Sequence, residues 1–87
     1  MALSNSTFLC NIKGKHLLNL DPDLFYEDEL EPEKYYEVYA KPFIPGEYVV
    51  DVIDRSEKKI ITKTMDTKQY LIFEHKLKLL LEMLERE

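Results

Sequence analysis

The stretch that decides the fold is residues 67–86, TKQYLIFEHKLKLLLEMLER. Apolar residues recur in it at the three- and four-residue spacing of one helical stripe, which predicts an amphipathic helix. The stripe comprises Tyr70, Phe73, Leu77, Leu80, Leu81 and Leu84. Asp66, with Gln69 three residues later, has the pattern of an N-terminal capping box. The alternative for residues 70–73 is a further strand, with the helix beginning near His75, because short apolar runs suit either structure.

A second apolar ridge runs along the same helix. Its residues, Ile72, Leu79 and Met83, lie roughly 140° around the cylinder from the first stripe, at about 100° per residue. A helix packed on a small sheet buries one stripe, so the ridge is covered by residues 6–20, covered by another molecule, or left exposed as ordinary surface. We predict that these three residues form a homodimer interface, in which two helices pair across a two-fold axis.

Upstream of this helix the chain alternates between apolar and polar residues, the pattern of half-buried strands. The alternating segments are residues 6–12, 34–40, 47–53 and 59–65, with a possible return strand over residues 16–20 after a turn at Gly14. In the second segment Tyr36, Val38 and Ala40 share one face. Residues 44–47, Ile-Pro-Gly-Glu, fit a type II turn.

The last two alternating segments form the clearest hairpin, and its register has two alternatives. Tyr48, Val50 and Val52 share a face either with Ile60, Thr62 and Thr64 or, with the pairing shifted by one residue, with Ile61 and Met65. Asp21-Pro22 predicts the start of a short acidic helix over residues 22–29, which ends before Pro32.

Together these elements predict an α+β fold in a single domain over residues 1–87. The expected architecture is a small antiparallel sheet of four to five strands, open or barrel-like, with the short acidic helix and the C-terminal amphipathic helix. No family resemblance goes beyond this description, and the order of elements is shared by many unrelated domains.

The acidity of the chain is concentrated in one segment. The formal net charge is −5, but residues 21–38 hold eight acidic residues and one lysine, which leaves a net +2 for the rest. Phosphate repulsion makes nucleic acid a poor partner for the acidic side. A cationic protein surface suits it better, because opposite charges steer association.

Aromatic residues lie among these acids, and tyrosine supplies contact area at low entropic cost and can form cation–π contacts. We therefore predict a partner-binding surface for a basic protein. Its residues are Tyr26, Glu27, Asp28, Glu29, Glu31 and Tyr35. The alternatives are a solvated acidic face and tyrosine rings that fill the core.

Candidates for catalysis or metal binding are weak. Asp21 and Asp23 lack the glycine that an EF-hand loop requires. His16 and His75 are far apart, and neither has a second ligand at suitable spacing on its own element. Cys10 has the position of a buried strand residue, where a free cysteine behaves as a small apolar side chain. The sequence predicts no catalytic residue, no metal and no cofactor.

The function predicted from the sequence is a small, acidic, non-enzymatic protein–protein interaction module, a regulator or inhibitor that docks on a basic protein surface. One alternative is a nucleic-acid-associated domain that uses two basic tips. These are Lys13, Lys15 and His16 around Gly14, and Lys58, Lys59 and Lys63 on the hairpin. Another alternative is a small enzyme built on the carboxylates of residues 21–37. The single cysteine, the absence of a secretory signal and the absence of a membrane-length apolar run predict a cytoplasmic protein without membrane contact.

Overall fold

A computed structural model describes residues 6–86, in which four strands and two helices follow one another. In chain order these are β1 (Thr7–Lys13), α1 (Gly14–Leu20), β2 (Tyr35–Pro42), β3 (Glu47–Asp54), β4 (Lys59–Asp66) and α2 (Thr67–Glu85). The predicted α+β class is confirmed. Residues 1–5, where we predict no secretory signal, lie outside the described range.

The strands form one antiparallel sheet in which each strand pairs with the next along the chain, in the order β1-β2-β3-β4. The sheet is not closed into a barrel, so that alternative is wrong. Between residues 6 and 86 no helix is both long and apolar enough to cross a bilayer.

The core lies between one face of the sheet and α2. The strands bury Cys10, Ile12, Tyr36, Val38, Ala40, Val50, Val52 and Met65. Helix α2 adds Tyr70, Phe73 and Leu77, and the later residues of its first stripe pack against this cluster while partly exposed. The predicted stripe is confirmed, and so is the shared face of Tyr36, Val38 and Ala40, which the structure places in the core. Each set follows the repeat of its element.

The hairpin adopts the second of its two predicted registers. Val52 pairs with Ile61 and Tyr48 pairs with Met65, so Ile61 and Met65 lie on the core face. The type II turn is confirmed as well: Gly46 has φ +87°, and the Glu47 N–H donates to the Ile44 carbonyl at 2.9 Å. A positive φ at this position favours glycine.

Residues 14–20 form helix α1, so the predicted glycine turn and return strand are wrong. The chain enters α1 directly from β1, and Leu17 is fully buried in the core. The Gly14 N–H donates to the Lys34 carbonyl at 2.9 Å, and a Cβ at Gly14 would overlap the Glu31 carbonyl oxygen. Glycine therefore serves here for a close approach between two backbone segments rather than for a turn.

Residues 21–34, hereafter the strap, contain turns rather than the acidic helix predicted over residues 22–29. The Asp21 carboxylate accepts from the Asp23 N–H at 3.3 Å, which forms a local turn in place of a helix cap. Phe25 and Leu30 are buried in the core five residues apart, a spacing that one helical face does not provide. Tertiary burial of these two side chains overrides the local helix signal.

Helix α2 is continuous through residues 70–73, so the strand alternative there is wrong. Its capping box is present: the Asp66 carboxylate accepts from the Gln69 N–H at 2.7 Å, and the Gln69 side chain accepts from the Asp66 N–H at 3.3 Å. These two bonds satisfy donors that the first helical turn would otherwise leave without partners.

Candidate docking surfaces

The strap and the end of the β3–β4 hairpin enclose a small cleft of about 130 Å³. Residues 27–31 form one wall, and Asp54, Glu57, Lys59 and Ile61 form the other. Six of the lining residues are acidic: Glu27, Asp28, Glu29, Glu31, Asp54 and Glu57. We call this group the acidic cleft.

Lys34 joins the two walls of the acidic cleft. Its Nζ lies 2.6 Å from the Asp54 carboxylate, 2.6 Å from that of Glu57 and 3.3 Å from that of Glu31. Asp54 is buried, and its other oxygen accepts from the Ser56 hydroxyl at 2.7 Å and from the backbone of the hairpin turn. One ammonium group therefore faces three carboxylates, which leaves the cluster negative.

A second ion pair fastens the strap to β4. The Lys63 ammonium donates to both oxygens of Glu29, at 2.9 and 2.8 Å. The same ammonium lies 5.1 Å from the centre of the Tyr26 ring and 5.9 Å from that of Phe25. These aromatic faces favour the cation and hold the strap in place.

The carboxylates of these pairs are kept ionised. The Lys34 ammonium beside Asp54 holds the pKa of that carboxyl well below its ordinary value, and the Lys63 ammonium lowers the pKa of Glu29. The three carboxylates around Lys34 raise its own pKa. A general acid at neutral pH needs a raised carboxyl pKa, so Asp54 and Glu29 are suited to electrostatic rather than proton-transfer roles.

The structure gathers five of the six predicted partner-binding residues around the strap and separates the sixth. Glu27 and Asp28 are exposed and have no ion pair in the described part of the chain, and Tyr26 is exposed beside them. Tyr35 lies on the opposite face of β2 from the buried Tyr36, with the Lys13 ammonium 5.6 Å from its ring centre. Alternation along the strand turns it away from the acidic cleft.

Fewer acids of the acidic segment, residues 21–38, are available to a partner than its composition indicates, because several form ion pairs within the protein. Four of its acids have basic partners, three of them on other elements: Glu29 with Lys63, Glu33 with Lys13 and Lys15, and Glu37 with Arg55. The fourth, Glu31, pairs with Lys34 within the strap. The bond from Arg55 lowers the pKa of the Glu37 carboxyl. Among the basic hairpin residues, Lys63 pairs with Glu29, and Lys59 lines the acidic cleft.

The second surface is the predicted ridge on α2, which the described chain leaves uncovered. Ile72 and Leu79 are each 48% exposed, and Met83 is 61% exposed. Next to the ridge, a groove of about 370 Å³ separates α2 from α1. Its apolar walls are Leu20, Leu79, Leu80 and Met83. We call Ile72, Leu79 and Met83 the α2 ridge.

The groups with catalytic potential are dispersed. His16 lies on α1 and lines the groove between the two helices, whereas His75 is exposed on α2 and does not line that groove. Burial raises the pKa of the Cys10 thiol to about 11, which keeps it protonated and unreactive at neutral pH. Within residues 6–86 no group of three or more histidine, cysteine or acidic side chains is placed to hold a metal ion.

Sequence reasoning missed one half of the acidic cleft. Asp54 and Glu57 belong to the hairpin, 20 or more residues from Lys34, and nothing in the local pattern pairs them with the strap. An Asp at the start of a turn followed by Ser signals a turn cap, but not a tertiary ion pair.

Comparison with known proteins gives no further identification. No protein-family model matches the chain, and no curated protein or solved structure is significantly similar to it.

Proposed function

We propose that this protein is a non-enzymatic protein-docking module whose acidic cleft receives a basic surface of a partner protein. The observation that carries the proposal is the charge gathered at the cleft. Six carboxylates face Lys34, Lys59 and Lys63, a local net charge of −3 contributed by segments distant in sequence.

The role of this charge is steering and orientation. Charged surfaces accelerate encounter and exclude partners of like charge more than they add affinity. Glu27 and Asp28 contribute charge that is free to pair with a partner, and Tyr26, 53% exposed, offers an aromatic face to an arginine or lysine. Docking of this kind would regulate or inhibit the partner by occluding its basic surface.

The homodimer predicted from the sequence stays a prediction. The exposure of Ile72, Leu79 and Met83 supports an interface on α2, but no second copy is part of the structure. The nucleic-acid alternative has less support, because two of the three hairpin lysines, Lys59 and Lys63, lie beside carboxylates of the acidic cleft. In the other tip, Lys13 and Lys15 pair with Glu33.

The proposal is tested by an NMR titration of the whole protein with a tetra-arginine amide peptide. We expect amide shifts confined to residues 26–31 and 54–59, and weaker binding when salt is raised, because salt screens exposed charges. Shifts spread over the whole surface, or absent from the acidic cleft, would contradict the proposal.

A matched pair of double variants provides the control. Glu27→Gln with Asp28→Asn removes two exposed charges at the cleft, and we expect the peptide to bind about threefold to tenfold more weakly, as measured for exposed ion pairs. Glu82→Gln with Glu85→Gln makes the same charge change on α2, at residues that do not line the cleft. Equal losses from the two double variants would show that net charge, and not the cleft, attracts the peptide.

A further inference from the structure

Helix α2 presents an apolar surface whose neighbouring charges are mostly positive. At 3.6 residues per turn, Lys68, Lys76 and Arg86 lie within about 40° of the ridge line, while Glu82, the nearest carboxylate on the helix, lies about 80° away. All four are exposed, and none forms an ion pair in the described region. Beyond α2, Asp21 lines a hollow beside Ile72, with its carboxylate engaged in the Asp23 turn.

The shape of this surface suits a helix. The α2 ridge spans 12 residues from Ile72 to Met83, whose eleven steps of 1.5 Å cover about 16 Å, or three turns of a partner helix. The groove against α1 runs beside it and is lined by Leu20, Leu80 and Met83. A helix that lays an apolar stripe along a ridge and into an adjoining groove follows the usual packing of helix side chains.

The charges distinguish between possible occupants. If two copies paired about a two-fold axis through the middle of the ridge, each residue near the midpoint would lie close to the same residue of the other copy. Lys76 lies one to two residues from the midpoint between Ile72 and Met83, so the two Lys76 ammonium groups of such a dimer would lie side by side. Like charges at an interface are unfavourable, whereas carboxylates of a different partner would pair with them.

We propose that the α2 ridge and the adjoining groove bind an amphipathic helix of a partner protein whose apolar stripe is flanked by Asp or Glu. This surface is separate from the acidic cleft. The protein would then hold a basic partner surface at the cleft and an acidic helix at α2, which makes it an adaptor between two partners of opposite charge.

The test uses the whole protein and two synthetic 14-residue helical peptides. Both carry leucine at the same three- and four-residue spacing, one with glutamate and the other with lysine at the flanking positions. We expect fluorescence anisotropy to show about tenfold tighter binding of the glutamate peptide. NMR shifts should fall on Leu20, Ile72, Lys76, Leu79 and Met83. Equal affinities, or no binding of either peptide, would overturn the proposal.

Leu79→Gln and Leu71→Gln form a matched pair of variants. Leu71 is 55% exposed on the same helix but lies about 100° from the ridge line. We expect Leu79→Gln to weaken the glutamate peptide at least fivefold and Leu71→Gln to leave it unchanged, with equal urea midpoints for both. Lys76→Glu should shift the preference toward the lysine peptide. Equal effects of the two leucine variants would contradict the site.

Sedimentation velocity tests the other possible partner of the α2 ridge, a second copy of this chain. The proposal replaces the homodimer predicted from the sequence, so we expect the protein alone to sediment as a monomer at tens of micromolar. A dimer that Leu79→Gln dissociates would show that a second copy covers the ridge, and would overturn the proposal. The tetra-arginine titration measures binding at the acidic cleft, and the helical peptides measure binding at the α2 ridge. Either proposal can therefore fail without the other.

Discussion

The strap and α2 cover the same face of the sheet by different means. Helix α2 contributes a periodic stripe, in which Tyr70, Phe73 and Leu77 are all buried. The strap has no helix or strand and depends on two apolar anchors, Phe25 and Leu30, together with ion pairs to the hairpin. Because the buried side chains of α2 lie on one stripe, the other side of the helix stays available for binding. In the strap, most of the side chains between and beside Phe25 and Leu30 are exposed, and many of them are acidic.

The largest expected effect comes from truncating a buried phenylalanine, either in the strap or in α2. Phe25 and Phe73 are both buried, and their rings contact at a centroid distance of 6.3 Å. Truncating either to alanine leaves a cavity, and we expect a loss of about 3–5 kcal/mol in the free energy of unfolding, measured by urea denaturation. The double variant should lose less than the sum, because the two rings share one contact. A cost below about 1 kcal/mol for Phe25→Ala would show that the strap is not part of the core.

The next effect concerns the close approach of α1 to the strap. Gly14→Ala places a methyl group against the Glu31 carbonyl, and we expect a loss of about 1–3 kcal/mol from the forced backbone shift. Gly46→Ala is the comparison: it meets open space but has φ +87°, so its cost of about 1–2 kcal/mol comes from the left-handed conformation alone. Thermal or urea unfolding measures both. A neutral Gly14→Ala would contradict the close contact between α1 and the strap.

Acid should weaken the strap's ion pairs before it affects the core. The pKa values of Asp54 and Glu29 are lowered in the folded protein. Their pairs therefore stabilise the fold fully above the unfolded carboxyl pKa of about 4, and this stability is lost as the pH falls toward the lowered folded values. We expect urea midpoints to fall progressively as the pH is lowered below 5, with part of the loss below pH 3.

Lys34→Met separates this effect from general acid unfolding. Without the ammonium group the Asp54 carboxyl loses the main cause of its lowered pKa. The variant should therefore be less stable at pH 7, and its urea midpoint should fall less as the pH is lowered below 5. Parallel curves for the variant and the natural protein would show that Lys34 does not govern the acid response.

The smallest effect tests the start of α2. Asp66→Ala removes the carboxylate that accepts from the Gln69 N–H, and we expect a loss of about 1 kcal/mol. Asp66→Asn keeps an accepting oxygen and should retain most of the stability. If both substitutions are silent in urea unfolding, the capping box does not contribute to the stability of the helix.

Local patterns predicted the parts of the fold whose side chains repeat. The helix stripe, the capping box, the type II turn at Gly46 and the buried face of β2 each depend on residues within a few positions of one another. The alternating pattern allowed two registers for the β3–β4 hairpin. Choosing between them required knowing which face of β4 packs on the core.

Local patterns failed where contacts join distant residues. The side chains of residues 14–20 are compatible with either a helix or a strand. In the structure they form a helix that buries Leu17 in the core. The strap carries a helix start signal at Asp21, yet the burial of Phe25 and Leu30 prevails over it. The predicted partner-binding surface stays a prediction. The structure places Tyr35 on the other face of the sheet from the acidic cleft, and the hairpin adds Asp54 and Glu57 to the cleft.

The sequence by itself determined the α+β class, the amphipathic α2 with its second ridge, and the excess of acid in one segment, because periodicity and composition are properties of neighbouring residues. Tertiary structure alone decided which acids are neutralised, which hairpin side chains complete the acidic cleft, and that the described chain leaves the α2 ridge uncovered. These outcomes depend on which surfaces of distant segments meet, and burial free energy, rather than local preference, selects those contacts.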